Sequence, residues 1–325
     1  MMNLYFFPSC PKEGYINPYC NNYKKSLSKY FNVAELDNPK TPMKSLTLLL
    51  FSFKADIYVL NWIENAFVWK LGLLQFFLVV FSLFVIKLRN KKIVWMYHNI
   101  SPHEGKSFCS EFIMKFLFKN AFVIISHSKL AEKIACDYAR CPVMYLCHPV
   151  CIPVVNEYNH KLADCEIFVW GSILPYKGIA EFLENAAPKI LKKILIIGKC
   201  SDETLERRIK KSVRSNITFE NRYASYEEIT AYVKKTEYVL FPYMKDSVSS
   251  SGALMDTIAM GGGIPIGPNT GAFCDLAEEG VCITYESYEE LISILNGPPP
   301  HKDMNDFIEK NTWENFAIQF NKLLT

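Results

Sequence analysis

The stretch PYMKDSVSSSGALMDTIAMGGGIP, residues 242–265, contains the pattern that decides the fold of this chain. An apolar run, residues 237–241, precedes it and has the length of a buried strand, and a second apolar run, residues 264–266, ends it. Between the two runs, a serine-rich loop leads into a short amphipathic segment that carries Asp256. A strand followed by a loop, a helix and another strand is the unit from which parallel sheets are built.

The same alternation of short apolar strands and helical segments continues along the whole chain, which predicts parallel sheets wrapped by helices. The predicted strands are residues 3–7, 56–60, 92–97, 122–126 and 143–147 in the first half, and residues 166–170, 193–198, 216–220, 237–241, 264–266 and 281–284 in the second. A proline-bearing connection, residues 148–155, separates the halves. We therefore predict an α/β fold with two doubly wound, Rossmann-like domains that face a cleft, with residues 1–155 and 156–302 as the domains.

Composition excludes some classes of protein. Half of the 325 residues are hydrophobic, which is enough for two cores, and the net charge is only +3. The chain lacks the dense lysine and arginine stripes of dedicated nucleic-acid binders, so we expect no nucleic-acid partner. Its eleven cysteines are odd in number and irregularly spaced, and its first residues do not have the pattern of a secretory signal. These features predict reduced thiols and a cytoplasmic protein.

One apolar segment, LGLLQFFLVVFSLFVI at residues 71–86, contains only Gln75 and Ser82 as polar residues. It is shorter than the roughly 20 residues that a membrane-spanning helix needs. The pattern predicts a crossover helix buried in an α/β domain. The alternative is a helix that contacts an anionic membrane leaflet, which the basic residues that follow would favour. These are Lys87, Arg89, Lys91 and Lys92.

Two loops of the second half have residue types that suit an anion. The serine-rich loop opens a helix, where free backbone N–H groups and the helix dipole favour negative charge and serine hydroxyls add donors. The loop GSILPYKG, residues 171–178, also lies between a strand and a helix and presents Lys177, which can neutralise a phosphate. Taken alone, the serines could form a flexible loop, and Lys177 could be an ordinary solvated lysine. Because both loops are expected at the same sheet edge, together they favour a diphosphate site.

In their order along the chain, GSILPYKGIAEFL, ILIIGKC, ITFENRYASYEEI, YVLFPY and SSSGALMDTIAMGGGIPIG resemble the C-terminal half of GT-B glycosyltransferases, specifically the retaining, family 4-like group. The resemblance implies that Asp256 holds the ribose hydroxyls of a nucleotide sugar. It also implies that residues 303–325 pack back towards the N-terminal domain. The residues that would contact the diphosphate are Ser172, Lys177, Ser250, Ser251 and Gly252, and those at the start of the base-contacting loop are Asn221, Arg222 and Tyr223.

The sequence departs from the family's pattern in the donor loops. The family's paired acids are eight positions apart, but Val248 stands eight positions before Asp256, and Asp246 is out of register. Ser172 stands where the family often has an arginine. We therefore expect the loop serines and backbone amides to take the place of the first acid.

The N-terminal half is expected to hold the acceptor. Its candidate residues lie in loops that follow predicted strands. Trp62 could stack on a sugar ring, and His98 or Glu64 could position or deprotonate an acceptor hydroxyl. The alternative for a lone histidine is a structural role in the core. The further acceptor-side candidates are Tyr19, Asn99 and His103.

These features predict a metal-independent, hexosyltransferase-type glycosyltransferase that uses a nucleoside-diphosphate sugar, with uracil as the expected base. The expected acceptor is a glycan or lipid-linked glycan in cell-surface polysaccharide synthesis, with peripheral contact at the inner membrane leaflet. Lys177 would stabilise the leaving diphosphate, and no cofactor is expected. Two alternatives stay open, because a fold does not determine a function: a nucleotide-sugar epimerase, which would consume donor without acceptor, and a catalytically silent subunit that scaffolds a partner.

Overall fold

The computed structural model describes residues 1–9, 18–34, 43–98, 107–151, 158, 160–244 and 250–324. The chain divides into two compact units. The first contains Met1–His148 and Trp313–Thr325, and the second contains Pro149–Thr312. The α/β class and the two Rossmann-like sheets predicted from the sequence are confirmed, one sheet in each unit.

The first unit has a six-stranded parallel sheet. Its strands are β1 (Asn3–Phe7), β2 (Asn32–Ala34), β3 (Ile57–Asn61), β4 (Lys92–Tyr97), β5 (Val123–Ser126) and β6 (Val143–Tyr145), in the order β2-β1-β3-β4-β5-β6. The direction of strand progression reverses between β1 and β3, and open α/β sheets bind ligands beyond the carboxyl ends of strands at such a switch point. Strand β2 was not predicted from the sequence, because its three residues are exposed or half-buried and form no apolar run.

Helices cover both faces of this sheet. They are α1 (Pro18–Leu27), α2 (Lys44–Phe51), α3 (Gly72–Leu88), α4 (Phe108–Asn120), α5 (Lys129–Tyr138) and α13 (Trp313–Leu324). One core holds Trp95 and Leu83, and the other holds Tyr23 and Phe320. The last helix, α13, belongs to this unit because its aromatic side chains fill the second core: the rings of Phe320 and Tyr23 lie 5.8 Å apart.

The second unit has its own six-stranded parallel sheet. Its strands are β7 (Ile167–Trp170), β8 (Ile194–Ile197), β9 (Ile217–Glu220), β10 (Tyr238–Leu240), β11 (Ile264–Pro268) and β12 (Ile283–Tyr285), in the order β12-β11-β10-β7-β8-β9. Its helices are α6 (Ile179–Asn185), α7 (Glu203–Ser212), α8 (Tyr226–Lys235), α9 (Gly252–Met260), α10 (Gly271–Glu278), α11 (Tyr288–Asn296) and α12 (Asn305–Lys310). The switch point of this sheet lies between β7 and β10, so the loops that follow these two strands form its expected binding edge.

The division into units differs from the predicted boundaries at residues 155 and 302. The connection after His148 is attached to the second unit, because the Val150 N–H donates to the Asn311 carbonyl at 2.8 Å and Val150 forms a parallel bridge with Thr312. Of the two closing helices, α12 therefore lies in the second unit and only α13 in the first. The sequence located the connection, but a backbone pairing about 160 residues apart in the chain has no local signal.

The apolar segment at residues 71–86 lies within α3, which is buried on one side only. Its polar residues Gln75 and Ser82 are buried, while Phe77 and Phe81 are more than half exposed. In the part of the chain that the structure describes, no helix is long and apolar enough to cross a membrane. The prediction of a helix is confirmed, but the prediction that this helix is buried holds for one face alone.

Candidate functional site

The two anion-binding loops predicted in the second unit lie against each other. The lysine loop forms a short 3-10 turn, Pro175–Lys177, and then enters α6 through Gly178, whose φ of 63° is left-handed. A Cβ atom at Gly178 would stand 2.1 Å from the Pro242 carbonyl oxygen, so only glycine allows this approach. The Met244 N–H also donates to the Tyr176 carbonyl at 3.0 Å. The loops after β7 and β10 therefore meet at the switch point of the sheet.

Lys177 lies at the centre of this edge. Its side chain is 8% exposed, and its ammonium faces the ring of Tyr243, with 5.4 Å between Nζ and the ring centroid. The ammonium also lies against the end of β7, because a Cβ atom at Gly171 would be 3.3 Å from Nζ. Burial lowers the pKa of Lys177. Among the described residues no carboxylate forms an ion pair with Lys177, so the site offers a buried positive charge to an anion.

The serine loop enters α9 beside this lysine. Ser251 is the N-cap: its hydroxyl accepts the Leu254 N–H at 3.3 Å and lies 3.3 Å from the Tyr243 hydroxyl. No described protein atom lies within 4 Å of the position that a Cβ at Gly252 would take, and Ser250 is half-buried. Tyr243 thus joins the two loops, since its ring faces the ammonium and its hydroxyl reaches the helix cap. Tyr243 was not predicted from the sequence, although its position three residues beyond the end of β10 was a usable signal.

Asp256 lies on α9, about one turn beyond the cap. Burial raises the pKa of this carboxyl to about 6, and a hydrogen bond from the Tyr226 phenol acts in the opposite direction. The helix is held against the end of β7 by a hydrogen bond from the Trp170 indole N–H to the Thr257 hydroxyl, at 3.0 Å. Asp256 can therefore accept hydrogen bonds as a carboxylate at neutral pH, and Tyr226, which the sequence analysis missed, orients it.

The predicted base-contacting residues have different surroundings. The side-chain amide of Asn221 exchanges two hydrogen bonds with the backbone of Cys200, at 2.9 and 3.2 Å. The Arg222 guanidinium forms a bidentate pair with Glu228, at 2.8 and 2.5 Å, and it also donates to Glu220. Both side chains thus stabilise their own loops, and their roles towards a nucleotide stay predictions.

Two further donor-side candidates present their side chains to solvent. Tyr223 is 81% exposed, and Ser172 is also exposed. The exposed ring of Tyr223 is available for stacking on a base, and the Ser172 hydroxyl follows Gly171 at the end of β7. Their contacts with a nucleotide also stay predictions.

In the first unit, the switch point between β1 and β3 positions a histidine. Asn61, the last residue of β3, is fully buried, and its side-chain NH₂ donates to the Phe7 carbonyl at the end of β1, at 3.0 Å. This orientation leaves the amide oxygen of Asn61 facing Nε2 of His98, at 2.9 Å. Since an oxygen must receive a proton, Nε2 carries the hydrogen and Nδ1 keeps the lone pair. Burial, together with the charge of nearby His148, lowers the pKa of His98 to about 3, so the ring is a neutral base.

His98 belongs to a cluster of aromatic and histidine rings. Tyr19 lies in its centre, with ring centroids 5.3 Å from His98 and 5.4 Å from Trp313. The Nδ1 of His127 lies 2.7 Å from the Leu146 carbonyl and therefore carries a proton, so its Nε2 accepts the Tyr19 hydroxyl at 2.9 Å. Burial lowers the pKa of His127 and raises that of Tyr19. Tyr19, His98 and His127 are thus uncharged near neutral pH.

Trp62 completes the predicted acceptor side. Its indole stacks on the His98 ring, with 4.8 Å between centroids and 16° between planes. Its φ of 50° and ψ of 22° are left-handed, a conformation that costs a bulky residue roughly 1–3 kcal/mol. Strain of this kind persists where the surroundings hold a residue in place, and it is concentrated at functional sites. The structure therefore brings Trp62, His98 and Tyr19 together, and their role towards an acceptor stays a prediction.

The remaining candidates of the first unit are Glu64, Asn99 and His103. Glu64 is 2% exposed in the 3-10 helix Ile63–Val68, and it lies close enough to Tyr97 for its charge to add to burial in raising the pKa of that phenol to about 12. Its role as a base stays a prediction. Asn99 and His103 lie outside the described residues. Asn61 and His148 are neighbours of His98 that sequence reasoning missed, because Asn61 ends β3 and His148 follows β6, and only the folded sheet brings these strand ends near the end of β4.

Comparison with known proteins gives structural matches but no sequence matches. No protein-family model matches the chain, and no curated protein matches its sequence. The Anabaena protein HepE, solved with UDP and glucose, is 12% identical with a TM-score of 0.62, over 99% of this chain and 95% of that one. The lipopolysaccharide outer core galactosyltransferase WaaB is 11% identical with a TM-score of 0.64, over 99% of both chains. Trehalose-6-phosphate synthase OtsA is 8% identical with a TM-score of 0.60, over 99% of this chain and 96% of that one.

These matches confirm the fold that the sequence resemblance implied. The two six-stranded parallel sheets correspond to the two Rossmann-like domains of GT-B glycosyltransferases. The chain therefore has the GT-B fold. At identities of 8–12%, the likeness concerns the fold, and an activity has to be argued from the residues of this chain.

Proposed function

We propose that this chain, with its GT-B fold, is a glycosyltransferase whose second unit binds a nucleoside-diphosphate sugar. The observation that carries the proposal is the buried Lys177 ammonium at the switch point of the second sheet. A buried charge is unfavourable in the free protein and is stabilised when an anion arrives. The capped amino end of α9 lies beside the same loop, so backbone N–H groups and Lys177 would act together on a diphosphate.

The reaction separates charge at this point. The bond between the anomeric carbon and the diphosphate oxygen breaks, and the acceptor oxygen forms the new bond to that carbon. The diphosphate leaves with an additional negative charge, which Lys177 and the amides of Ser250–Gly252 would stabilise. The acceptor hydroxyl proton goes to a base, and we assign this role to His98, whose Nδ1 keeps its lone pair because Nε2 donates to Asn61. Asp256 would hold the ribose hydroxyls.

We further propose a UDP-sugar donor, hexosyl transfer that needs no metal, and a glycan or lipid-linked glycan acceptor in polysaccharide synthesis. Uridine is supported by analogy: HepE was solved with UDP, and a trehalose-6-phosphate structure from E. coli contains UDP-2-fluoro glucose. The Trp62, Tyr19 and His98 rings are suited to a sugar acceptor, because aromatic faces stack on pyranose rings. We place the protein in the cytoplasm, with peripheral attachment at the inner face of the membrane.

A nucleotide panel tests the donor site. We expect UDP, without added metal, to raise the melting temperature of the wild type more than GDP, CDP or ADP does. This shift should disappear in Lys177→Ala and persist in Lys211→Ala, a matched control at an exposed lysine of the same unit. A wild type that responds to no nucleotide, or a Lys177→Ala variant that responds like the wild type, would contradict the proposal.

The fate of the donor separates the remaining alternatives. A glycosyltransferase should release UDP from a UDP-sugar quickly only when a glycan acceptor is present. Rapid donor consumption in the absence of any acceptor would favour the epimerase. Nucleotide binding without turnover towards any donor and acceptor pair would favour the catalytically silent subunit.

A further inference from the structure

The helix α3 (Gly72–Leu88) has an outer face made of large apolar side chains. At about 100° of rotation per residue, these side chains fall within an arc of about 100° along the whole helix. They are Leu73, Leu74, Phe77, Phe81, Phe84 and Leu88, each between 47% and 81% exposed. Soluble helices carry polar groups on their outer face, so this arrangement is reversed.

The two uncharged polar residues of the same helix, Gln75 and Ser82, are buried and hydrogen-bonded. The side-chain oxygen of Gln75 accepts both the N–H and the hydroxyl of Ser45 at 3.0 Å, and its NH₂ donates to the Lys70 carbonyl at 2.8 Å. The Ser82 hydroxyl donates to the Leu78 carbonyl at 2.6 Å. A rotation of α3 that buried the apolar stripe would separate the Gln75 amide from Ser45, which lies on α2. The orientation of the helix is therefore set, and the apolar face points outward.

The apolar face continues beyond α3. The ring of Phe84 contacts that of Phe116 on α4, with 5.2 Å between centroids. Further exposed apolar side chains lie on or next to the neighbouring helices α2 and α4, namely Leu50, Phe53, Phe108 and Phe112. With about half of each side chain accessible, the α3 stripe alone exposes on the order of 600 Å² of apolar surface, which is as large as the largest patch of a typical monomer.

Uncompensated positive charge borders this face. The three acidic residues in the described segments 43–98 and 107–120 are already engaged or buried: Asp56 pairs with Lys91 at 2.7 Å, Glu111 pairs with Lys115 at 3.5 Å, and Glu64 is 2% exposed. The exposed lysines around the stripe are Lys54 beside Phe53, Lys70 before α3, Lys87 in its last turn and Lys119 in the last turn of α4.

We propose that this face of the first unit binds the surface of an anionic lipid bilayer, with α3 lying in the plane of the interface. Apolar side chains would enter the acyl region, and lysines with long stems would reach the lipid phosphates. A second copy of the chain is a poorer occupant, because a symmetric contact would bring the two positive borders together. The membrane contact depends on this surface and not on the donor reaction, so an inactive donor site would leave it intact.

Vesicle sedimentation of the full chain tests the contact. The probes are vesicles of phosphatidylcholine alone and vesicles with 30% phosphatidylglycerol. We expect the wild type to sediment with the anionic vesicles and to be released by high salt. In the double variant Phe77→Gln with Phe81→Gln, the partition coefficient should fall on the order of tenfold or more. Leu191→Gln, at an apolar residue of the second unit that is 85% exposed, is the matched control and should bind like the wild type.

Three results would overturn the proposal. Wild type that stays in the supernatant with anionic vesicles does so, as does a double variant that binds as well as the wild type. Gel filtration in which the wild type is a dimer and the double variant a monomer would assign the face to a second copy. Retention of the UDP-induced melting shift in the double variant shows that the variant is folded and that the donor site is separate.

Discussion

Replacement of Lys177 should separate the stability of this protein from its affinity for a nucleotide. The change Lys177→Met keeps much of the apolar stem and removes the ammonium. Lys177 is 8% exposed, and among the described residues its ammonium contacts the Tyr243 ring but no carboxylate. The free energy of unfolding of the ligand-free protein should therefore stay the same or rise, because the penalty for burying a charge disappears with the charge.

The same change should remove most of the affinity for UDP. Two opposite unit charges about 4 Å apart attract each other by about 4 kcal/mol at an effective dielectric constant near 20. Loss of water around the phosphate offsets part of this attraction. We expect Lys177→Met to weaken binding by about 2–4 kcal/mol, which is roughly a 30- to 1000-fold increase in the Kd for UDP.

The pH dependence of stability provides an independent check. Burial lowers the pKa of Lys177 below its ordinary value of 10.5, so the unfolded chain holds this proton more tightly than the folded protein does. Between the lowered pKa and 10.5, the unfolded state binds more protons, and the unfolding free energy must rise with pH. The wild type should therefore gain stability relative to Lys177→Met as the solution becomes alkaline within this window.

Urea denaturation at neutral and alkaline pH measures the stability, and calorimetric titration measures the UDP affinity. Lys211→Met, at an exposed lysine of the same unit, should change neither quantity. A Lys177→Met variant that loses more than about 1 kcal/mol of stability and still binds UDP like the wild type would refute the reasoning, because Lys177 would then be a structural residue.

Three further changes test separate parts of the site. Because burial raises the pKa of Asp256 to about 6, the affinity of the wild type for UDP should fall as the pH drops through this value. In titrations from pH 5 to 8, Asp256→Asn should bind UDP roughly tenfold more weakly and should not show this fall. In Asn61→Asp, a carboxylate would face the Nε2 hydrogen of His98 and raise the pKa of that ring above about 3. The acid limb of the pH profile of the transfer rate should therefore move to higher pH. An acid limb that does not move would exclude His98 as the base. Gly178→Ala should lose about 1–3 kcal/mol of stability in urea, because its Cβ would stand 2.1 Å from the Pro242 oxygen at a left-handed φ; an unchanged midpoint would show that the loops can separate.

Most of the strands and both donor loops could be predicted from the sequence. Strands buried on both faces of a parallel sheet are short apolar runs, so β1, β4 and β7 were visible as such, whereas β2 is too short and too exposed to be seen. Lys177 and Asp256 could be proposed because loops that follow parallel strands must reach the carboxyl edge of the sheet.

The partners of these residues could not be predicted. Tyr243 meets Lys177 because β10 lies next to β7, and Asn61 reaches Phe7 because β3 lies next to β1. Strand order is a property of the whole sheet, so no local pattern shows which strand ends are neighbours.

By itself, the sequence determined the fold class, the positions of the strands and the chemical types at the strand ends, because apolar periodicity and turn residues act over a few positions. Only the tertiary structure decided that Lys177 is buried with no carboxylate partner among the described residues, and that the neutral ring of His98 keeps its proton on Nε2. It also decided which face of α3 meets solvent, since Gln75 finds its hydrogen-bond partner Ser45 on the neighbouring helix α2. Burial and hydrogen bonding depend on contacts between distant parts of the chain, and these contacts set the charge state and the orientation of each functional group.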